Sequence, residues 1–129
     1  MSTTQTAASC PFCDLSDDRV IVRNELCVAL WDRYPASPGH ALIVPRRHIP
    51  TWFDATESER SAVLTLLDAA KALIDERLRP DGYNIGVNVG EAAGQTIPHL
   101  HIHLIPRRKG DVENPRGGIR HVIPGKGDY

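Results

Sequence analysis

Apolar residues fall first into short compact blocks along this chain, then into a spacing of three and four, and finally into strict alternation. The blocks "RVIVRN" and "LCVALWD", separated by Asn24 and Glu25, predict two short strands joined as a hairpin. "RYPASPGH" carries two prolines and a glycine and predicts a loop. "HALIVP" predicts a third strand that Pro45 ends. The period then changes. Val63, Leu66, Leu67, Ala70, Leu73, Ile74 and Leu78 recur at steps of three and four, one face of an amphipathic helix. Asp54 with Glu57 and Thr56 with Glu59 are competing capping boxes for its start, and "RPDG" at 79–82 stops it. "YNIGVNVG" predicts a fourth strand, "EAAGQT" a loop and "PHLHIHLIPR" a fifth strand. There is no repeat and no inter-domain linker. The pattern predicts one α+β domain over residues 10–109, its mainly antiparallel sheet covered on one face by a long helix. Residues 1–9, polar and small, form a disordered lead-in in this reading, and the glycine-rich residues 110–129 form a looped C-terminal arm.

Composition narrows the class. In 129 residues, 41% hydrophobic and 24% charged positions describe an ordinary globular chain with enough length for a real core. A formal net charge of −1 gives no global field for nucleic acid or a membrane surface. The apolar runs are too short to span a bilayer, and the start lacks the basic and apolar regions of a secretory signal, so a cytoplasmic protein is expected. Three cysteines, an odd number, are then expected as reduced thiols. The pair in "CPFC", Cys10 and Cys13, reads as metal-binding or redox-active, whereas Cys27 inside a strand reads as core.

Half of the six histidines lie in "PHLHIHLIP", as His99, His101 and His103. On a strand these alternate positions share one face, while Leu100, Ile102 and Leu104 turn to the core. Same-face neighbours are roughly 6.6 Å apart and the outer two about 13 Å apart. Zinc ligands must lie about 2 Å from the ion, so three histidines on a nearly straight strand converge on one metal only with difficulty. At least one is left for other chemistry.

"HLHIHLI" matches the signature His-hydrophobic-His-hydrophobic-His-hydrophobic-hydrophobic, and here the chain resembles the histidine triad (HIT) family. The resemblance runs from residue 10 to about residue 108 and takes in "WDRYPASPGHALIVPRRH", the long helix and "NVGEAAGQTIPH". It implies a HIT-like fold, a five-stranded antiparallel sheet with one long helix and a short one, usually assembled as a homodimer. It implies a nucleotide hydrolase or nucleotidyl transferase acting on a purine, adenine-containing nucleotide. The branch indicated is the zinc-containing bacterial type that resembles diadenosine polyphosphate hydrolases. In the family the middle histidine, here His101, is the nucleophile that takes the nucleotide at its α-phosphorus. Imidazole suits that role, being largely neutral near pH 7 and a good leaving group from phosphorus. By the same resemblance His103 helps at the phosphate and His40 supports the catalytic strand. Asp32 accepts from the ribose hydroxyls, and Asn88, Gln95 and Thr96 face phosphate or the leaving group. Taken without the family, Asp32, Asn88, Gln95 and Thr96 read as turn, loop or strand-end residues instead. A nucleotide-binding sensor with little turnover and a deadenylase of adenylated nucleic-acid ends are the other function classes. The second is usually coupled to a DNA-binding module, which this sequence lacks.

The resemblance also supplies partners for "CPFC". Relatives of galactose-phosphate uridylyltransferase hold zinc with such a cysteine pair, the histidine after the third strand and the first histidine of the triad. Carried over, these are Cys10, Cys13, His48 and His99. Four such ligands make a closed, tetrahedral, structural site. It would pin the N-terminal segment to the catalytic strand and fix the backbone that presents His101. A redox pair and two unliganded thiols are the other readings of "CPFC", although a redox pair usually opens a helix beside a strand. Arg107, Arg108 and Lys109 follow the histidines directly and read either as polyphosphate contacts or as solvated surface.

Overall fold

The computed structural model describes residues 9–129, so the expected lead-in falls, except for Ser9, outside the described residues. Strands β1 (Val20–Arg23), β2 (Cys27–Trp31), β3 (Ala41–Pro45), β4 (Gly82–Val87) and β5 (Ile102–Arg107) form a single sheet in the order β1-β2-β3-β5-β4, with every neighbouring pair antiparallel. The helix α1, Glu57–Leu78, follows β3. The short helix appears as 3-10 turns of three to five residues, including Trp52–Asp54 just ahead of α1. No helix among the described residues is long and apolar enough to cross a membrane.

Alternation builds two cores. Cys27 and Ala29 of β2, Ala41 and Ile43 of β3, and Ile102 and Leu104 of β5 pack with Val63, Leu66, Ala70 and Ile74 of α1. The alternate residues Val28, Leu30, Leu42 and Val44 pack on the other face against Cys10 and Phe12. The central strands β2 and β3 are therefore buried on both sides, which explains why they read as continuous apolar blocks rather than as alternation. Leu78, assigned to the apolar stripe by spacing, is 42% exposed, because it lies at the last turn, beyond the sheet-facing residues.

Of the two capping boxes, Thr56 starts α1. Its hydroxyl accepts from the Glu59 amide, and the Glu59 carboxylate accepts from the Thr56 amide. Asp54 instead caps the preceding 3-10 turn with Thr51. Arg79, at φ 47, ends the helix before Pro80. Glu59 also receives a two-pronged contact from Arg47, at 2.8 and 3.2 Å, although it is only 3% exposed. Glu59→Ala therefore loses a cap and an ion pair to the half-exposed Arg47, an expected loss of about 1 kcal/mol in chemical denaturation. Hydrogen bonds from Arg47 hold the Glu59 carboxyl below its ordinary value, with burial opposing them. A lowered folded pKa stabilises above the ordinary carboxylate range and is lost as pH falls through the lowered value. The gap between wild type and Glu59→Ala should thus shrink in acid.

Two strands are shorter than the pattern predicts. β4 stops at Val87, three residues before the end of "YNIGVNVG". β5 begins at Ile102, not at Pro98, so His99 and His101 precede the strand. The register gives the reason. Ile43 faces Ile102, and one more pair of steps would set Leu100 against Pro45, which has no amide hydrogen for the ladder. The Leu100 amide donates to the Ile49 carbonyl instead, at 2.7 Å.

Candidate active site and metal centre

Residues 98–101 run off the end of β5 and keep the alternation without the ladder. Leu100 is 1% exposed in the helix-side core, while His99 and His101 turn toward Phe12, with ring centroids 5.8 and 5.0 Å away. Each triad histidine is held by a different partner. His99 Nε2 lies 2.8 Å from the Pro45 carbonyl, and His101 Nδ1 lies 2.8 Å from the His99 carbonyl. A carbonyl only accepts, so each of these nitrogens carries the proton. That leaves the lone pair on Nδ1 of His99 and on Nε2 of His101. Burial, above other causes, lowers the pKa of both rings, so they are neutral at pH 7.

His40 extends this logic. Its Nδ1 accepts from the Ala36 amide at 2.9 Å, so Nε2 carries the proton. That proton faces His103 Nδ1 at 2.9 Å and the Asp32 carboxylate at 3.3 Å. With Nδ1 accepting, His103 keeps its own proton on Nε2. Burial, and then the neighbouring His101 and His40 rings, lower the His103 pKa to about 4. One triad thus holds a lone pair, a second lone pair and a donor, each fixed by a hydrogen bond of its own. Gly39 makes the approach of His40 possible: its φ of 88 lies in the region that favours glycine.

His40, His101 and His103 line a cavity of about 480 Å³ together with Asp32, Thr96, Leu42 and Arg19. Asp32 enters from the end of β2, where its amide donates to the His40 carbonyl and its Oδ1 accepts from the Tyr34 amide. Thr96 comes from the loop before the triad and is exposed. Asn88 and Gln95 stand apart from this cavity. Asn88 is half-buried one residue past β4. Gln95 is 5% exposed, with its Nε2 donating to the Pro50 and Ile97 carbonyls and its Oε1 accepting from the Gly90 amide, so it braces the loop that carries Thr96.

The residues expected to hold a metal meet on the other side of His99. Cys10 Sγ and His99 Nδ1 are 3.4 Å apart, Cys13 Sγ and His48 Nδ1 3.2 Å, Cys13 Sγ and His99 Nδ1 3.5 Å, and the two Nδ1 atoms 3.1 Å. The edges of a tetrahedron drawn with zinc bond lengths are about 3.3–3.8 Å. The lone pair of His99 faces the cluster, and its far nitrogen donates to a carbonyl, as metal-bound imidazoles do. These four side chains fit a metal ion. Asp32, His40 and His103 also bring three donor atoms together, but His40 fails the same test. Its far nitrogen accepts a backbone proton, so the near one cannot offer a lone pair without becoming an anion.

Several contributors carried no role in the sequence reading. Phe12 sits inside the quoted "CPFC", and its ring contacts both His99 and His101; a phenylalanine between two cysteines gives no signal of that. The Pro45 carbonyl and the Ala36 amide are backbone groups, invisible to any motif. Arg107, weighed above as a polyphosphate contact, is bound to Asp111 at 2.7 and 2.8 Å and to Asn84 at 2.6 Å. Arg108 donates to the Pro38 carbonyl at 2.9 Å.

Comparison with known proteins follows the same lines. The HIT domain family model matches residues 15–110. The chain is 38% identical over 93 residues to the asymmetrical bis(5'-nucleosyl)-tetraphosphatase of Schizosaccharomyces pombe, which covers 72% of this chain and 51% of that protein. It is 37% identical over 101 residues to an AP-4-A phosphorylase of Mycobacterium tuberculosis, covering 76% of this chain and 52% of that one. The chain thus spans about half the length of these curated relatives. A crystal structure of a HIT family protein from Bacillus anthracis superposes with a TM-score of 0.73 at 33% identity, covering 80% of this chain and 76% of that one. A zinc-bound histidine triad family protein from Mycobacterium smegmatis superposes with a TM-score of 0.73 at 31% identity, covering 82% and 80%. With its family model, its sheet order and its three histidines all in agreement, the chain belongs to the HIT family.

Proposed function

We propose that this protein is a nucleotide hydrolase or nucleotidyl transferase. It cleaves dinucleoside polyphosphates or nucleoside phosphoramidates at the α-phosphorus through a covalent nucleotidyl-histidine. The observation that carries the reading is the hydrogen bond from His101 Nδ1 to the His99 carbonyl, which leaves a lone pair on Nε2 of a neutral ring lining the cavity. The activities of its relatives, on bis-nucleosyl tetraphosphate and AP-4-A, point to the same substrate class.

In the proposed reaction His101 Nε2 forms a bond to the α-phosphorus as the bond to the leaving atom breaks, an oxygen in a polyphosphate or a nitrogen in a phosphoramidate, and the electron pair departs with the leaving group. His103 Nε2–H donates to phosphate oxygen as charge shifts there. His40 is a positioning residue. By donating to His103 Nδ1 it keeps the His103 proton on the nitrogen facing the cavity. Asp32 accepts from the ribose hydroxyls, and Thr96 faces the phosphates. Gln95 and Asn88 shape the approach of the phosphate side, Gln95 through the loop it braces. Water or phosphate then attacks phosphorus, the P–N bond breaks, and its electron pair returns to Nε2.

The metal we assign to Cys10, Cys13, His48 and His99 is zinc in a closed structural site; when bound, it supplies cross-linking rather than chemistry. Those side chains would tie the N-terminal knuckle, including Phe12, to the segment that presents His101. A cytoplasmic homodimer with an adenine-containing nucleotide substrate completes the reading. The outer edge of β4 carries no partner strand among the described residues, and Ile85 beside it is 51% exposed, which supports a second copy there.

The test is rapid acid-free quenching of turnover with diadenosine tetraphosphate, followed by peptide mapping. The expected result is an adenylyl group on the peptide carrying His101. Slow binding without any adduct or product, over a panel of dinucleotides and phosphoramidates, would instead favour a sensor.

A further inference from the structure

A second space adjoins the triad on the same face of the sheet. His103, Ile105 and Arg107 are alternate residues of β5, opposite Gly86, Asn84 and Gly82 of β4, while Ile102 and Leu104 turn to the helix side. His103 lines the first cavity. Ile105 and Arg107, the next two along this face, line a cavity of about 450 Å³ together with Asn84, Val112 and Pro115. That size falls in the range of about 300–1,000 Å³ found for small-molecule sites. One loop borders both spaces: Tyr34 and His40 line the first, Ala36 and Ser37 the second.

The C-terminal arm roofs the second cavity. Its 3-10 turn, Gly118–Val122, lies against β4, with Ile119 over Gly86 and Gly118 beside Asn84. The arm is closed on itself. Arg116 pairs with Asp128 at 3.2 Å, and a Cβ added at Gly117 would strike the Gly127 carbonyl. The HIT domain model matches residues 15–110, so this roof is no part of the matched domain. Asn84 supplies the free polar group. Its Oδ1 accepts from Arg107 at 2.6 Å, whereas its Nδ2 donates to nothing among the described residues. That nitrogen is not sealed in the interior, so it stays within reach of solvent.

The order of groups across the sheet sets the occupant. Asp32 follows β2, His103 lies on β5 and Asn84 on β4, so the triad separates Asp32 from the second cavity. A dinucleotide with one ribose at Asp32 and its α-phosphorus at His101 has its other half still to place. On the β4 side of the triad that half meets the cavity under the arm. Ile105, Val112 and Pro115 suit the flat apolar faces of a base, and the Asn84 amide suits an acceptor on the base edge.

We propose that this cavity binds the second nucleoside of the dinucleotide, the half that departs with the leaving group, and that Asn84 Nδ2–H donates to it. This rests on the nucleotide reading above and adds the site that tells a dinucleotide from a mononucleotide.

The experiment compares kcat/KM for diadenosine tetraphosphate and for adenosine tetraphosphate, which lacks the second nucleoside, on the wild type, Asn84→Asp and Val112→Trp. Asn84→Asp keeps an acceptor for Arg107 and removes the donor. Val112→Trp fills the cavity from a position that is 47% exposed, outside both cores. The wild type should prefer the dinucleotide by about tenfold or more, as one hydrogen bond and the burial of a ring face give. In each variant that ratio should fall toward one. Equal handling of the two substrates by the wild type overturns the proposal, as does a preference that survives in both variants. If one variant does not fold, the other decides. Turnover of neither substrate by the wild type would remove the nucleotide reading and this site with it, a result distinct from turnover without preference.

Discussion

Replacing His101 with alanine is expected to abolish turnover of diadenosine tetraphosphate, by about 10⁴-fold or more, while AMP still binds within a few-fold of wild type. The size follows from the role. A nucleophile that forms the covalent bond has no substitute among its neighbours: His99 turns its lone pair to the cysteines, and His103 presents a proton rather than a lone pair. The fold should survive. His101 sits outside the ladder and is 8% exposed at the cavity wall, so its loss enlarges a space already open to ligand. Binding should survive because the ribose contact proposed for Asp32 does not depend on the His101 ring. The adenylyl adduct must vanish with the activity. Turnover retained in His101→Ala would end the covalent mechanism, whatever the status of the metal.

Cys10→Ser should produce the second large effect, on stability. Wild-type protein is expected to carry about one zinc per chain by elemental analysis, and the variant none. Its melting temperature should fall by about 10–20 °C, as a structural site worth several kcal/mol is lost. Cys10 is 1% exposed and belongs to the smaller core with Phe12, Leu30 and Leu42, so the metal and that core fail together. Cys27→Ser is the control. Cys27 is equally buried but lies in the helix-side core, its thiol 3.8 Å from the Glu59 carbonyl, and its replacement should leave the zinc content unchanged. A stable, active Cys10→Ser protein free of metal would refute the structural role.

How legible these features were depended on whether side chains or backbone carried them. The strands showed in the sequence because burial on one or both faces leaves a hydrophobic pattern, and α1 showed because its stripe faces the sheet. The start of α1 was ambiguous, since two capping boxes overlap and tertiary contact decides between them: Arg47 reaches Glu59 and so favours Thr56. The four metal-ligand residues were found through family resemblance, and the structure brings them together from three separate parts of the chain. The strand carrying the triad was read too long because proline's effect on a ladder is felt by its partner strand, fifty-odd residues away, rather than by its own neighbours. The proton on each histidine could not be read at all. It depends on the Pro45 and His99 carbonyls and on the Ala36 amide, groups common to every residue type.

The early end of β5 has a consequence for motion. Residues 102–107 are zipped to β4, and residues 102–104 to β3 as well, so this strand opens only with the sheet. His99 and His101 lie just beyond, each ring held by a single backbone carbonyl, while Leu100 between them anchors the backbone through the core and the Ile49 carbonyl. An enzyme that loads a nucleotide onto a side chain and must then admit water and release product gains from such an arrangement. Under the proposed function the His101 ring, held by one hydrogen bond, turns in each catalytic cycle while its backbone stays fixed.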